Sequence, residues 1–288
     1  MVAAVRLITW NIQWGCGLDG RVDLGRIVRT ARAIADFDVL CLQEIADNFP
    51  ALQGNDDRDQ FAELAALLPG YHALEGIGAD LAGDGSRRRR FGNALFTRYG
   101  ALSVRRHALP WPADPGKESM PRVAIEATLQ APMGALRVTT THLEYYSDVQ
   151  RRAQALRLRE LHDQACNRAA HPGHPNAEGG PFDATAQPAS AILCGDFNFP
   201  PEHPAHEEIQ QALAGGGPAY RDAWMLAHGR QPHDPTFCVY DHRYSKSPYC
   251  CDFIFVSEDL GSRVRAVSID AGTQASDHQP VLLELDDR

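Results

Sequence analysis

No stretch of this 288-residue sequence approaches the roughly 20 consecutive apolar residues that a membrane-spanning helix requires, so no span is expected. A basic N-terminal region followed by a long apolar segment is also missing. MVAAVRLITWN runs straight into an apolar strand pattern, which argues against a removable export signal. The seven cysteines are odd in number and lack CxxC spacing, which excludes a disulfide framework and points to a reducing, cytoplasmic setting. HExxH and paired Cys/His spacings are absent too, so His171, His174, His203 and His206 read as surface residues rather than zinc ligands. Positive charge is in deficit: 28 Lys and Arg stand against 37 Asp and Glu, a net charge of −9. With no global cationic field, binding to a polyanion would have to rely on a local patch. No internal repeat is visible.

What is present is the pattern of a soluble globular chain, 44% hydrophobic with a mean hydropathy of −0.34. Strand patterns fall at 6–10, 38–42, 93–97, 122–130, 135–141, 191–194, 252–256, 263–269 and 281–285. Between them, Leu24, Ile27, Val28, Ala31, Ile34 and Ala35 fall at helical spacing behind a capping Asp23. Phe61, Leu64, Ala65 and Leu68 mark a second helix, stopped by Pro69-Gly70, and a charged helix is expected over about 148–168. A short helix carries Ile209, Ala212 and Leu213, with Gly215-Gly216-Gly217-Pro218 expected to end it. Residues 169–189 are rich in Pro, Gly and small polar residues and read as a flexible loop. The polar blocks described next span nearly the whole chain, so 1–288 is expected to form one domain.

The informative residues stand where apolar runs end: Trp10-Asn11, Gln43-Glu44, Thr141-His142, Gly195-Asp196-Phe197-Asn198, Cys251-Asp252 and Ser276-Asp277-His278. Polar groups at the rims of buried strands converge on one mouth. Buried carboxylates are costly unless paired or coordinated, so such a mouth serves a cation and an anionic substrate better than a core. Phosphate esters resist attack because their anionic oxygens repel the nucleophile; a catalyst needs a cation, a positioned water and donors for developing charge. Glu44 is the foremost candidate ligand for Mg²⁺ or Mn²⁺, which prefer oxygen donors. Asp196 and Asn198 would point the same way if their segment stays extended, one to orient or deprotonate water and the other to hold a phosphoryl oxygen. The Asn11 carboxamide could donate to phosphate with its oxygen toward the metal. An imidazolium at His278 would supply charge and a donor to the scissile phosphate. Cys41 and Cys194 read as small core residues, and the Cys250-Cys251 pair as structural, since a thiolate beside Asp252 is disfavoured.

The blocks TWNIQWG (9–15), LQEI (42–45), GNALFTR (92–98), THLE (141–144), GDFN (195–198), DFIFVS (252–257) and SDHQPV (276–281) occur in an order that resembles the endonuclease/exonuclease/phosphatase superfamily, metal-dependent phosphoesterases sharing the DNase I fold. The resemblance implies an α/β four-layer αββα sandwich of two packed mixed sheets flanked by helices. It also implies in-line attack by a metal-site water on a phosphomonoester or phosphodiester. Catalytic positions carried over are Asn11, Glu44, His142, Asp196, Asn198, Asp252 and His278, with Asp252 as the partner of His278 and Asp277, with Glu44 and Asn11, near the metal. His142 would touch the phosphate or leaving group, and Glu144 would orient it or bind a neighbouring basic residue. Asn93 and Arg98 match positions of less uniform role.

Substrate stays open between DNA or RNA and small esters such as sugar, inositol or lipid-headgroup phosphates. Arg87-Arg88-Arg89-Arg90 is the only concentrated positive charge; it is either a solvated loop or a grip on an anionic substrate, with Arg89 and Arg90 as candidate contacts. Abasic-site repair relatives carry extra aromatics near the C-terminal blocks, and no Trp follows residue 224, which demotes DNA-damage incision. THLE followed by Arg151, Arg152 and Gln154 looks like the branch that includes tyrosyl-DNA phosphodiesterases and several bacterial hydrolases. The competing class is a phosphate- or nucleic-acid-binding module that kept the fold and lost turnover; retention of Glu44, Asp196, Asn198, Asp252 and His278 speaks against it. No obligate protein partner is evident and a monomer is expected.

Overall fold

The computed structural model describes residues 4–287; residues 1–3 and 288, the ends of the expected single unit, lie outside them. Two six-stranded mixed sheets pack face to face. The first contains β1 (Ala4–Asn11), β2 (Val39–Asp47), β3 (His72–Ala82), β4 (Arg88–Thr97), β11 (Val264–Ile269) and β12 (Val281–Asp286), in the order β11-β12-β1-β2-β4-β3. The second contains β5 (Ala101–Ala108), β6 (Val123–Ala131), β7 (Gly134–His142), β8 (Ala191–Asp196), β9 (Tyr220–Asp222) and β10 (Asp252–Ser257), in the order β5-β6-β7-β8-β10-β9. Each sheet has one parallel pair, β1/β2 and β7/β8, joined through α1 (Leu24–Ile34) and α3 (Asp148–Ala170) respectively.

Burial makes the layers. Along four central strands every second residue enters the inter-sheet core and the last of each series is polar: Val5, Leu7, Thr9, Asn11 on β1; Leu136, Val138, Thr140, His142 on β7; Ile192, Cys194, Asp196 on β8; and, running backward, Val256, Ile254, Asp252 on β10. The opposite faces carry the helices. Ile8, Trp10, Leu40 and Leu42 pack under α1 and α2 (Gln60–Leu67), while Leu193, Phe253 and Phe255 pack under α3 and α4 (Pro204–Gln210). The four-layer expectation is therefore met. As expected, Asp23 caps α1, accepting from the Arg26 amide at 2.8 Å. Gln43 lies between the sheets with no exposed surface, its Nε2 donating to Thr9 Oγ1 at 3.2 Å and across the gap to Thr140 Oγ1 at 2.9 Å.

The differences from the sequence reading have local causes. The edge strands β3 and β5, only partly buried and with no run of apolar residues, carry no strand pattern in the sequence. β4 begins at Arg88 rather than near 93, so most of the arginine run is strand and not loop. The short helix α4 stops at Gln210, with Gln211 extended, instead of continuing through Ala212 and Leu213; Leu213 packs separately on Cys166 and Ala219. The six-residue α5 (Ala223–His228) is too short to leave a sequence period. Residues 172–190 contain no helix or strand. Cys41 and Cys194 are core residues, and all seven thiols are free and buried.

Gly195, in the GDFN block, has φ +140°, and a Cβ there would lie 2.0 Å from the Thr141 carbonyl oxygen. Only glycine lets β8 approach β7 closely enough to bring Asp196 opposite His142. Gly195→Ala should cost about 3 kcal/mol or more in urea unfolding; a loss under about 1 kcal/mol would show that the strand can relax around the added methyl.

Candidate active site

Register assembles the site. His142 pairs with Asp196 on β8, and Asp196 pairs with Asp252 on β10, so the three stand in one row across the second sheet. From the first sheet, Asn11 ends β1 opposite Gln43, and β2 is bulged between Leu42 and Ile45. The bulge puts Glu44 at φ +61°, a conformation that non-glycine residues adopt only under local compulsion, and it aims the carboxylate into the mouth. The Ser276-Asp277-His278 turn is pinned from both sides: Trp10 Nε1 donates to the His278 carbonyl at 2.9 Å, and Ser276 Oγ donates to the Asn11 carbonyl at 2.8 Å.

Glu44, His142, Asp196, Asp277 and His278 line a cavity of about 350 Å³ together with Gln13, Trp14, Arg122, Tyr145, Tyr146, Phe237 and Tyr244, with Asn11 and Asp252 buried behind them. Asn11 Nδ2 donates to both Glu44 Oε1 and Asp196 Oδ2 at 3.0 Å, while its oxygen accepts the Gln13 amide. The amide nitrogen faces the two carboxylates and the oxygen faces the Gln13 backbone, the reverse of the orientation expected for a metal-facing oxygen. Asn198 departs from expectation as well. Its φ is +54°, so the Asp196–Asn198 segment is not extended; its amide donates to Asp196 Oδ1 at 2.9 Å and its Nδ2 to the Leu143 carbonyl at 2.9 Å. It still lines the cavity.

The charges are unevenly matched. Burial, reinforced by Asp252, pushes Asp196 up to about 6; burial, reinforced by Glu44, does the same to Asp277; and burial also raises Glu44. The two histidines are split by their surroundings. Burial and the positive neighbours Arg122 and His278 hold His142 well below its ordinary value. At His278 burial works against the charge, but Asp252 (Nδ1 to Oδ2, 2.9 Å) and Asp196 outweigh it, and the imidazolium persists well above the usual range. His142 Nε2 lies 3.4 Å from Asp196 Oδ2 and His278 Nε2 lies 3.7 Å from the same oxygen. Glu44, Asp196, Asp252 and Asp277 thus share one charged imidazole, and Asp277 has a neutral partner, Gln13 Nε2 at 2.8 Å. An all-oxygen set with surplus negative charge and raised carboxyls fits a hard divalent cation, which would offset that charge.

Arg122 was not singled out from the sequence, where a lone arginine before an apolar strand carries no signal of its own. The clue was Glu144, which binds it: Arg122 Nε donates to Glu144 Oε2 at 3.2 Å, both side chains are buried, and Arg122 Nη1 has no partner. The tyrosines of the cavity form a continuous aromatic wall. Tyr146 meets Tyr145 edge-on with centroids 4.9 Å apart, Tyr145 meets Tyr244 at 6.3 Å, Tyr244 stacks on Phe237 at 6.1 Å, and Phe237 lies 4.4 Å from the His278 ring.

Other candidates lie elsewhere. Arg98 sits over the Tyr71 ring and pairs with Asp36 and Asp38, outside the cavity. Arg90 is neutralised by Asp47, Asp59 and Glu75 at 2.7, 2.9 and 3.4 Å. Arg87 pairs with Asp47 and Asp57, Arg88 with Asp80, and Arg89 donates to the Ala82 carbonyl and lies over Phe49. The run opens an interior strand with three of its four arginines ion-paired, and is not an open cationic patch. Asn93 is buried between the sheets, donating to the Val123 carbonyl at 3.1 Å. His206 corrects the surface reading: it is buried, and with His233 it bonds Asp222, whose carboxyl these two donors hold down at about 2 against the opposing effect of burial.

Comparison by sequence with curated proteins gives no match. Among solved structures, an endonuclease/exonuclease/phosphatase from Beutenbergia cavernae is 23% identical with a TM-score of 0.68, over 98% of this chain and 71% of its own. A mannosyl-6-phosphatase from Bacteroides thetaiotaomicron is 20% identical with a TM-score of 0.65, over 98% and 99%. The human Nocturnin catalytic domain, with a bound sulfate anion, is 18% identical with a TM-score of 0.63, over 99% and 94%. At these identities the likeness is one of fold. The model of the endonuclease/exonuclease/phosphatase family itself matches residues 8–278, from within the first strand to His278, and the chain belongs to that family.

Proposed function

We propose that this chain hydrolyses the P–O bond of a small phosphate ester with a hard divalent cation, Mg²⁺ or Mn²⁺, held by Glu44 and Asp277. The observation that carries the reading is the convergence of Glu44, Asp196 and Asp277 on one cavity around an imidazolium, His278, that Asp252 bonds from behind, with the three lining carboxyls raised by burial and by neighbouring carboxylates. When bound, the cation supplies positive charge to the non-bridging phosphate oxygens. Asp196, titrating near 6, takes the proton of the attacking water, the range suited to a base working near neutrality. His278, kept charged by Asp252, donates to a phosphoryl oxygen as charge develops there. Neutral His142 lies beside Asp196 and serves the leaving-group side, and the unpartnered Nη1 of Arg122 offers a further donor for phosphate.

Size and charge favour a compact ester whose ring lies on the Tyr145–Tyr244–Phe237 wall. A long polyanion needs a cationic track, whereas three of the four arginines in the run are ion-paired and the chain carries −9 overall. A mannosyl-6-phosphatase on the same fold is an instance of an ester of this size. The test is a screen, with Mg²⁺ or Mn²⁺, of hexose phosphates, nucleoside monophosphates, bis-p-nitrophenyl phosphate, and single- and double-stranded DNA and RNA. Small esters should have kcat/KM at least ~10-fold above the polymers, the scale of one good aromatic contact, and Tyr244→Ala should raise KM. Polymers turning over faster would reverse the substrate assignment, and absence of turnover on every substrate would leave the non-catalytic binding module as the better reading.

EDTA should abolish turnover, and Glu44→Gln should raise the metal concentration needed for half-activity while leaving the melting temperature of the metal-free protein the same or higher. Asp196→Asn and His278→Ala should each lower kcat by ~10²–10⁴-fold, and the double variant by much less than the product. Asp196 and Asp277 titrate near 6 when folded against 3.8 as free carboxyls, so the folded chain holds more protons between these values. The contribution of these two carboxyls to the stability of the metal-free protein should therefore rise as pH falls from about 7 toward about 4, against the opposite contribution of the buried neutral His142 and His162. Calorimetry in EDTA should find the melting temperature of the wild type relative to Asp196→Asn higher at pH 5 than at pH 8, and saturating Mg²⁺ should narrow that change; a pH-independent difference would remove the charge-crowding argument.

A further inference from the structure

Away from the cavity, two histidines meet one carboxylate. Asp222, where β9 passes into α5, accepts at Oδ2 from His206 Nε2 and from His233 Nε2, both at 2.8 Å, and at Oδ1 from the Trp224 amide at 2.8 Å. Two imidazoles and a carboxylate so close together have the makings of a zinc site. The neighbouring hydrogen bonds forbid it. The Asp222 amide donates to Gln210 Oε1 at 3.0 Å, which turns Gln210 Nε2 toward His206 Nδ1 at 3.3 Å. Nδ1 must then accept, and the His206 proton resides on Nε2, aimed at Asp222. A metal-bound histidine needs the reverse, its lone pair on the metal and its other N–H given to an acceptor. The cluster is a hydrogen-bonded knot, tying α4, the β9–α5 junction and the segment that follows α5.

That segment leads into the candidate active site. Three residues beyond His233, Thr236 donates through Oγ1 to Asp252 Oδ2 at 2.6 Å, the same oxygen that accepts from His278 Nδ1. Thr236 Oγ1 also accepts the Cys251 and Asp252 amides at 3.1 and 3.2 Å, and its carbonyl accepts the Gln279 amide at 2.6 Å. Phe237 then lays its ring against His278. From this side Phe237 packs on the His278 ring and Thr236 holds its partner Asp252, and between them and α5 the side chain tied back into the body is His233, bonded to Asp222 and stacked on Trp224 with centroids 5.6 Å apart.

We propose that Asp222, with His206 and His233, is a positioning cluster for the Asp252–His278 pair: it anchors residues 229–237 so that Thr236 and Phe237 hold the imidazole in line with the phosphate. The catalytic consequence rests on the phosphoesterase reading above; the structural consequence does not. His233→Ala removes the anchor at a side chain that lies outside the cavity lining. In the metal-loaded enzyme, on whichever ester is turned over best, it should lower kcat by ~10–100-fold with KM changed less than ~3-fold, since a misaligned group costs the transition state and not substrate binding. His233→Gln, which restores an N–H donor, should recover most of the loss. Thr236→Val, which removes only the hydroxyl, should lower kcat similarly, and the His233→Ala/Thr236→Val double variant should be little worse than either single one.

Hydrogen exchange supplies a readout independent of turnover. His233→Ala should speed amide exchange in residues 229–237 and at 276–280, where the Gln279 amide is bonded to Thr236, while the strands of the first sheet keep their protection. Unchanged exchange at 276–280, loosening spread over the whole chain, an unaltered kcat in an active enzyme, or multiplicative effects in the double variant would each overturn the proposal. A wild-type protein without phosphoesterase activity would fail the functional reading while leaving the exchange experiment to judge the anchor by itself.

Discussion

Everything at the mouth depends on the register of three strands. His142, Asp196 and Asp252 face one another across β7, β8 and β10, and in a sheet a slip of one residue would turn each of them to the helix-covered face. The apolar residues behind them set that register. Cys194 and Ile192, Val138 and Leu136, and Ile254 and Val256 fill the space between the sheets, so the hydrophobic core that stabilises the fold also fixes where each polar end residue emerges. Core and chemistry alternate along the same strands.

The register has an electrostatic cost. Bringing Asp196 beside Asp252, and Glu44 beside Asp277, concentrates negative charge in a buried place, and the fold offsets it with one charged imidazole and neutral donors from Asn11 and Gln13. Elsewhere the chain neutralises its charges locally: Arg137 with Glu126, Arg90 with three carboxylates, Asp222 with two histidines. The imbalance is confined to the cavity, and a surplus of that kind is the mark of a site rather than of structure.

The sequence was legible where periodicity and polarity coincide. The central strands announce themselves because buried residues recur at every second position, and the candidate residues because each stands one step beyond such a run. Edge strands β3 and β5 were illegible, being half-exposed and without apolar alternation. Orientation within the site was illegible for a different reason. The positive φ of Glu44 and Asn198 and the amide direction of Asn11 follow from tertiary neighbours that no local pattern encodes. The arginine run shows the same limit: its neutrality depends on Asp47, Asp59 and Asp80, brought to it by strand pairing. His206 read as a surface residue because its partner, Asp222, lies 16 positions away.

Asn11 and Glu44 belong to one sheet and His142, Asp196 and Asp252 to the other, so the mouth is a seam between two slabs whose interface is largely apolar. Apolar contacts are non-directional and resist sliding poorly. Gln43, hydrogen-bonded to a threonine on each slab directly behind Glu44, acts as a dowel through that seam. Its bonds fix one slab against the other along the strand direction, at the end where a displacement of a fraction of an ångström matters. With Asn11, bonded to Asp196, and Asn93, bonded to the Val123 carbonyl, Gln43 makes the alignment of the two half-sites a matter of uncharged amides crossing the seam.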